Sequence, residues 1–88
     1  MDVFEQLRRV TEQAQAENDL PDVLAARLFR IVERPELFDR YRGEIADLAG
    51  QVEQYDTYAQ TGYMGMGVNN VILDGAIRRM EEKASLPP

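Results

Sequence analysis

Two residue types with reactive side chains are missing from this 88-residue chain, and a third such type is nearly missing. It contains no cysteine and no histidine, and Ser85 is its one serine. Without cysteine there is no disulfide framework and no thiolate nucleophile. Without histidine, neither a Ser-His-Asp triad nor a Cys-His pair can be assembled. The di-iron sites of helical bundles are excluded for the same reason, because two of their helices supply histidine ligands.

Long apolar runs are also missing. No stretch approaches the roughly 18 apolar residues that a membrane-spanning helix needs. The first residues, Met1 to Glu5, include acids where a signal peptide carries basic residues before an apolar run. We therefore expect a cytoplasmic protein without membrane contacts.

Positive charge is scarce. The chain has 10 basic residues, nine of them arginine, against 16 acidic residues, and its net charge is −6. Because attraction to phosphate drives binding to nucleic acids and to anionic membranes, neither is an expected partner.

The apolar fraction of 44% and the charged fraction of 30% are those of ordinary globular proteins. We expect residues 1–84 to form one helical domain and residues 85–88 to be a disordered tail.

The first third of the chain predicts two helices. Asp2 is a candidate N-cap, followed by apolar residues at spacings of three and four up to Ala14, which predicts helix 1 over residues 2–17. The segment from Asn18 to Pro21 is predicted to form a turn. Helix 2 is then expected over residues 21–33, because Pro35 must end it.

The middle of the chain carries a heptad pattern, which predicts one long helix over about residues 35–60. Gly43 and Gly50 fall on the opposite side of this helix, where they indicate a kink, a break near Gly50 or the close approach of a partner. The apolar residues of the pattern, called the seam below, are Tyr41, Ile45, Leu48, Val52 and Tyr55. In a monomer the seam faces the other helices, whereas in a homodimer it pairs with a second copy. From the length of the helix we expect a homodimer in which the seam is the oligomer interface.

Residues 62–67 contain three glycines and predict a loop before the last helix. This last helix should begin at Asn69 or Asn70 and end before Ser85. The expected fold is therefore all-α: a small four-helix domain with one long helix and a glycine-rich loop. Within the loop, Tyr63, Met64 and Met66 are large side chains of the kinds favoured at adaptable contact surfaces, although they could equally fold back onto the end of the bundle.

Acidic residues recur at helical spacing in the predicted long helix. Glu44 with Asp47, and Glu53 with Asp56, each lie three residues apart and so on one helix face. Residues 36–61 carry a net charge of −4. These four acids form either a solvated exterior or a face that docks on a basic protein surface. We expect no metal site and no cofactor, because four short helices leave little room for a pocket.

These patterns favour a non-enzymatic protein–protein interaction module, an adaptor or an inhibitor, over an enzyme. Its partner-binding residues would be the acidic face and the loop residues named above. One alternative is a self-assembling structural subunit that uses the helix 3 seam. A third, less favoured interpretation is a metal-dependent enzyme that binds Mg²⁺ through the paired carboxylates.

Overall fold

A computed structural model of the chain describes residues 2–55 and 70–84. These residues form five α-helices and one 3-10 helix. In chain order they are α1 (Val3–Glu17), α2 (Asp22–Val32), α3 (Pro35–Phe38), the 3-10 helix (Asp39–Tyr41), α4 (Arg42–Glu53) and α5 (Asn70–Lys83). Four of the α-helices have 11 to 15 residues. The predicted all-α, four-helix fold is therefore confirmed.

Helix α1 begins where the sequence predicts. The Asp2 carboxylate accepts a hydrogen bond from the backbone N–H of Phe4 at 3.0 Å, which satisfies one of the free donors at the start of the helix. Thr11 lies on the buried face of α1, and its hydroxyl donates to the carbonyl of Leu7 at 2.7 Å. A polar side chain is therefore accommodated in the core without an unsatisfied hydroxyl donor.

The turn between α1 and α2 is short and ordered. Asp19 adopts a left-handed backbone conformation with a φ of 55°, which aspartate tolerates better than most residues. The N–H of Leu20 donates to the carbonyl of Ala14 at 3.2 Å, and the Leu20 side chain is buried. This turn closes the end of α1 and returns the chain so that α2 packs against α1.

The predicted long helix is not continuous, which corrects the expectation of one helix over residues 35–60. The 3-10 helix separates α3 from α4, and Phe38 and Tyr41, at its two boundaries, both have φ near −112°. Phe38 is fully buried in this arrangement, whereas Leu37 beside it is 38% exposed. Helix α4 continues through Gly50 and ends at Glu53, so the glycines are not the cause of the break. A side chain at Gly43 or Gly50 would meet no atom within 4 Å.

The seam belongs to the core of the single chain. Ile45, Leu48, Val52 and Tyr55 are each no more than 3% exposed, and Tyr41 packs partly buried against the same cluster. Helix α4 packs most extensively against α1, and α5 contacts both α2 and α4. Four of the five seam residues are therefore covered within the single chain, and the interpretation of the seam as an oligomer interface stays a prediction. Whether the chain dimerises through another surface stays a prediction.

Two polar contacts fix the ends of α4. At its beginning, the Arg42 guanidinium lies 5.4 Å from the centre of the Phe4 ring, and its Nε donates to Asp39 Oδ1 at 3.0 Å. Just beyond its end, the Tyr55 hydroxyl donates to Asn70 Oδ1 at 2.5 Å. Tyr55 therefore joins the end of α4 to the start of α5.

Of the predicted partner-binding residues, Asp56, Tyr63, Met64 and Met66 lie outside the described residues, as do the rest of the glycine-rich loop and the tail 85–88.

Replacing Leu48 with aspartate tests the position of the seam. Because Leu48 is buried within the chain, we expect Leu48→Asp to unfold the protein at every concentration, with loss of the far-UV circular dichroism of the helices. Glu53→Gln, on the exposed side of α4, is the control and should keep the fold. A Leu48→Asp variant that dissociated into folded monomers would contradict the intramolecular assignment.

Candidate partner-binding groove

Helix α5 is fastened to α2 by a buried ion pair. Arg27 of α2 donates twice to Glu81 of α5, from Nη2 to Oε1 at 2.7 Å and from Nε to Oε2 at 3.1 Å. The Glu81 side chain is only 3% exposed and that of Arg27 16% exposed. A bidentate arginine–carboxylate pair fixes both distance and orientation. The two helices are therefore held in one register.

The ion pair is the centre of a larger charged network. Arg27 Nη1 donates to Asp74 Oδ1 at 2.5 Å, and Arg78 Nη2 donates to Asp74 Oδ2 at 3.0 Å. Arg30 Nη2 lies 3.8 Å from Glu81 Oε2. The hydrogen bond from Arg27 lowers the pKa of Asp74, and the hydrogen bond to Glu81 is the main cause of the raised pKa of Arg27. Arg27 and Arg30 of α2 are thus paired with acids of α5.

A groove of about 310 Å³ opens between α4 and α5. The two helices run antiparallel, because Lys83 at the end of α5 pairs with Glu44 near the start of α4, while Asn70 at the start of α5 bonds to Tyr55 beyond the end of α4. The lining residues are Glu44, Asp47, Leu48 and Gln51 from α4, and Ala76, Arg79, Met80 and Lys83 from α5. Leu48, Ala76 and Met80 are largely buried and give the groove an apolar floor.

One end of the groove is closed by paired groups. Lys83 Nζ lies 3.5 Å from Glu44 Oε2 and 5.2 Å from the centre of the Tyr41 ring. The Tyr41 hydroxyl donates to the carbonyl of Lys83 at 3.5 Å. These contacts satisfy the Lys83 charge within the chain. The predicted seam residue Tyr41 thus has a different role, which is to support the end of the groove.

The middle of the groove carries polar groups that have no partner among the described residues. Asp47 on α4 and Arg79 on α5 are exposed, and neither takes part in a salt bridge in the described part of the chain. The Oε1 atom of Gln51 is buried and accepts no hydrogen bond from residues 2–55 or 70–84. The guanidinium of Arg79 lies along its own helix, with Nη1 3.6 Å from the position that a Cβ on Gly75 would take.

The structure brings together only part of the predicted site. Glu44 and Asp47 line the groove, and Glu53 is exposed near the end of the same helix. Sequence reasoning missed Gln51, Arg79 and Lys83, because nothing in their spacing indicates which helix faces α4. Glu81 carried a usable signal, since it follows Ile77 by four residues in the apolar stripe of α5, where a charge needs a buried partner.

The described residues hold no group of three or more acidic side chains close enough to bind a metal ion. Across residues 2–55 and 70–84, every helix is too short or too polar to cross a membrane.

The buried ion pair predicts an asymmetric effect of mutation. Arg27→Met leaves the Glu81 carboxylate buried without its main partner, and we expect it to lower the free energy of unfolding by about 3 kcal/mol. Glu81→Leu should cost less, because Arg27 keeps its contact with Asp74. The double variant should lose much less than the sum of the two. Urea unfolding at pH 7 measures all three values, and additive losses would show that the pair is not coupled.

Asp74 predicts a dependence of stability on pH. Because its folded-state pKa is lowered, its contribution is present above its unfolded pKa of about 3.9 and is lost as pH falls through the lower folded value. Asp74 is 35% exposed, so we expect Asp74→Asn to cost about 1 kcal/mol or less at pH 7. The difference from the parent protein should shrink below about pH 4 in urea unfolding series. A difference that stayed constant down to pH 2.5 would exclude this assignment.

Comparison of the chain with protein-family models, with curated protein sequences and with solved structures gives no match in any of the three.

Proposed function

We propose that the protein is a non-enzymatic protein–protein interaction module, an adaptor or an inhibitor, that docks on a partner through the α4–α5 groove and the acidic surface of α4. The observation that carries this proposal is the coexistence of an apolar floor with the polar groups of Asp47, Gln51 and Arg79, which have no partner among the described residues. Interfaces commonly combine such an apolar centre with a polar rim.

The charge distribution supports the same surface. The arginines Arg27 and Arg30 of α2 lie against the acids of α5, whereas Asp47 and Glu53 of α4 have no cation paired with them in the described residues. With a net charge of −6, the protein attracts a basic partner, and complementary charge raises the rate of association.

A second cavity fits a specific partner less well. It has a volume of about 370 Å³ and is lined by Pro21, Leu24, Asn70, Val71 and Asp74. Its carboxylate, Asp74, is already paired with Arg27 and Arg78, and Asn70 already accepts from Tyr55. The α4–α5 groove holds polar groups that have no partner in the described part of the chain, and it is the better candidate.

The test is a charge reversal with a matched control on another helix. Tagged parent protein, Asp47→Lys and Glu12→Lys are used to capture partners from nuclease-treated lysate, and bound proteins are identified by mass spectrometry. Glu12 is an exposed acid of α1, so Glu12→Lys makes the same change in net charge. We expect one protein at near-equal stoichiometry with the parent and with Glu12→Lys, and at least about tenfold less with Asp47→Lys, because a like charge at the interface opposes docking.

Two results would count against the proposal. Equal capture by all three proteins would show that the partner uses another surface. Recovery of the bait's own copies alone would favour the self-assembling subunit, whose interface would then be a surface other than the buried seam.

A further inference from the structure

We infer that the α4–α5 groove receives one arginine side chain of a basic partner protein, with the guanidinium bound by Gln51 Oε1 and the Asp47 carboxylate. This inference rests on the proposed function and names the chemistry of the partner at the same site. It starts from the amide oxygen of Gln51, which is buried and has no donor among the described residues. A buried acceptor left unsatisfied is unfavourable, so an incoming donor is favoured there once the Gln51 side chain turns its oxygen toward the groove.

Asp47 supplies a second acceptor on the same helix face. It lies four residues before Gln51 on α4, which places the two side chains on the same wall of the groove, about one helical turn apart. A guanidinium has five N–H donors in a flat fork and can donate to both acceptors at once. A lysine ammonium is compact and strongly hydrated, and it is less suited to bridge two acceptors of different kinds. The pair of acceptors therefore favours arginine.

The rest of the groove suits the stem of that side chain. Leu48 and Met80 form an apolar floor on which the methylene groups of an arginine can lie. At about 310 Å³, the groove is at the lower limit for small-molecule pockets, so it fits a side chain better than a cofactor. Arginine is also among the residues enriched at the energetic centres of interfaces.

The two cations of α5 that line the groove affect the site differently. Lys83 is held by Glu44 and Tyr41 at the closed end. Arg79 lies back along α5 beside Gly75, which leaves the α4 wall accessible, but its charge still opposes a second cation. Removing Arg79 should therefore strengthen the binding of an arginine and weaken the binding of an anion. The sign of this effect distinguishes the two kinds of occupant.

The experiment is a titration of ¹⁵N-labelled protein with N-acetyl-arginine methylamide, followed by nuclear magnetic resonance. We expect saturable shifts of the Gln51 side-chain amide and of the backbone at Asp47, with millimolar affinity. The citrulline analogue has nearly the same shape but no charge and should bind at least about fivefold more weakly, since hydrogen bonds from charged donors are stronger. The lysine analogue should also bind more weakly.

Four variants of the protein complete the test, and their melting temperatures verify that each is folded. Asp47→Asn and Gln51→Leu should each weaken the arginine probe by about threefold or more, Arg79→Ala should strengthen it, and Glu12→Gln on α1 should leave it unchanged. The inference is overturned if arginine and citrulline bind alike, if no resonance of the groove shifts, or if N-acetyl-glutamate binds instead and is lost in Arg79→Ala. If the arginine probe fails while Asp47→Lys still abolishes partner capture, the proposed function stands and only the arginine assignment falls.

Discussion

The bidentate contact between Arg27 and Glu81 is the constraint on which the position of α5 depends. Apolar residues on α5 bring it to the core, but apolar packing alone tolerates small changes of register. A carboxylate that is 3% exposed needs its arginine within hydrogen-bond distance, and this requirement selects one register. Since α5 forms one wall of the α4–α5 groove, the groove exists because Glu81 must lie against Arg27.

The same contact determines where charge remains available. In an acidic chain with ten basic residues, every arginine paired inside the structure leaves an acid elsewhere without a cation. Arg27 and Arg30 lie at Glu81, and Arg27 and Arg78 at Asp74, so two acids of α5, Asp74 and Glu81, are paired with cations. Among the described residues of α4, Glu44 is paired with Lys83, and no salt bridge is formed by Asp47. Asp47 is therefore the acid of the groove whose charge is left available within the described part of the chain.

The sequence predicts the fold better than it predicts the site. Apolar spacing gives α1, α2 and α5 to within a few residues, and it identifies the buried face of α4. It does not reveal the 3-10 helix at Asp39–Tyr41, because the apolar spacing is the same for a straight and a broken helix and no glycine or proline marks the break. Glu44 and Asp47 are recognisable as an acidic pair. Their neighbours in the groove, Arg79 and Lys83, cannot be recognised from the sequence. Contacts between helices depend on packing that the apolar periodicity does not encode.

The burial of the seam also limits how this protein can associate with others. Ile45 and Val52 hold α4 against the rest of the chain, so a partner that reached them would have to unfold the domain. Association through α4 without unfolding must use its outer side and its border with α5, where the large apolar side chains are mostly covered. Such a surface gains little from apolar burial and relies on hydrogen bonds and charge. Recognition at this surface is therefore expected to be sensitive to salt, and to be decided by a few polar side chains.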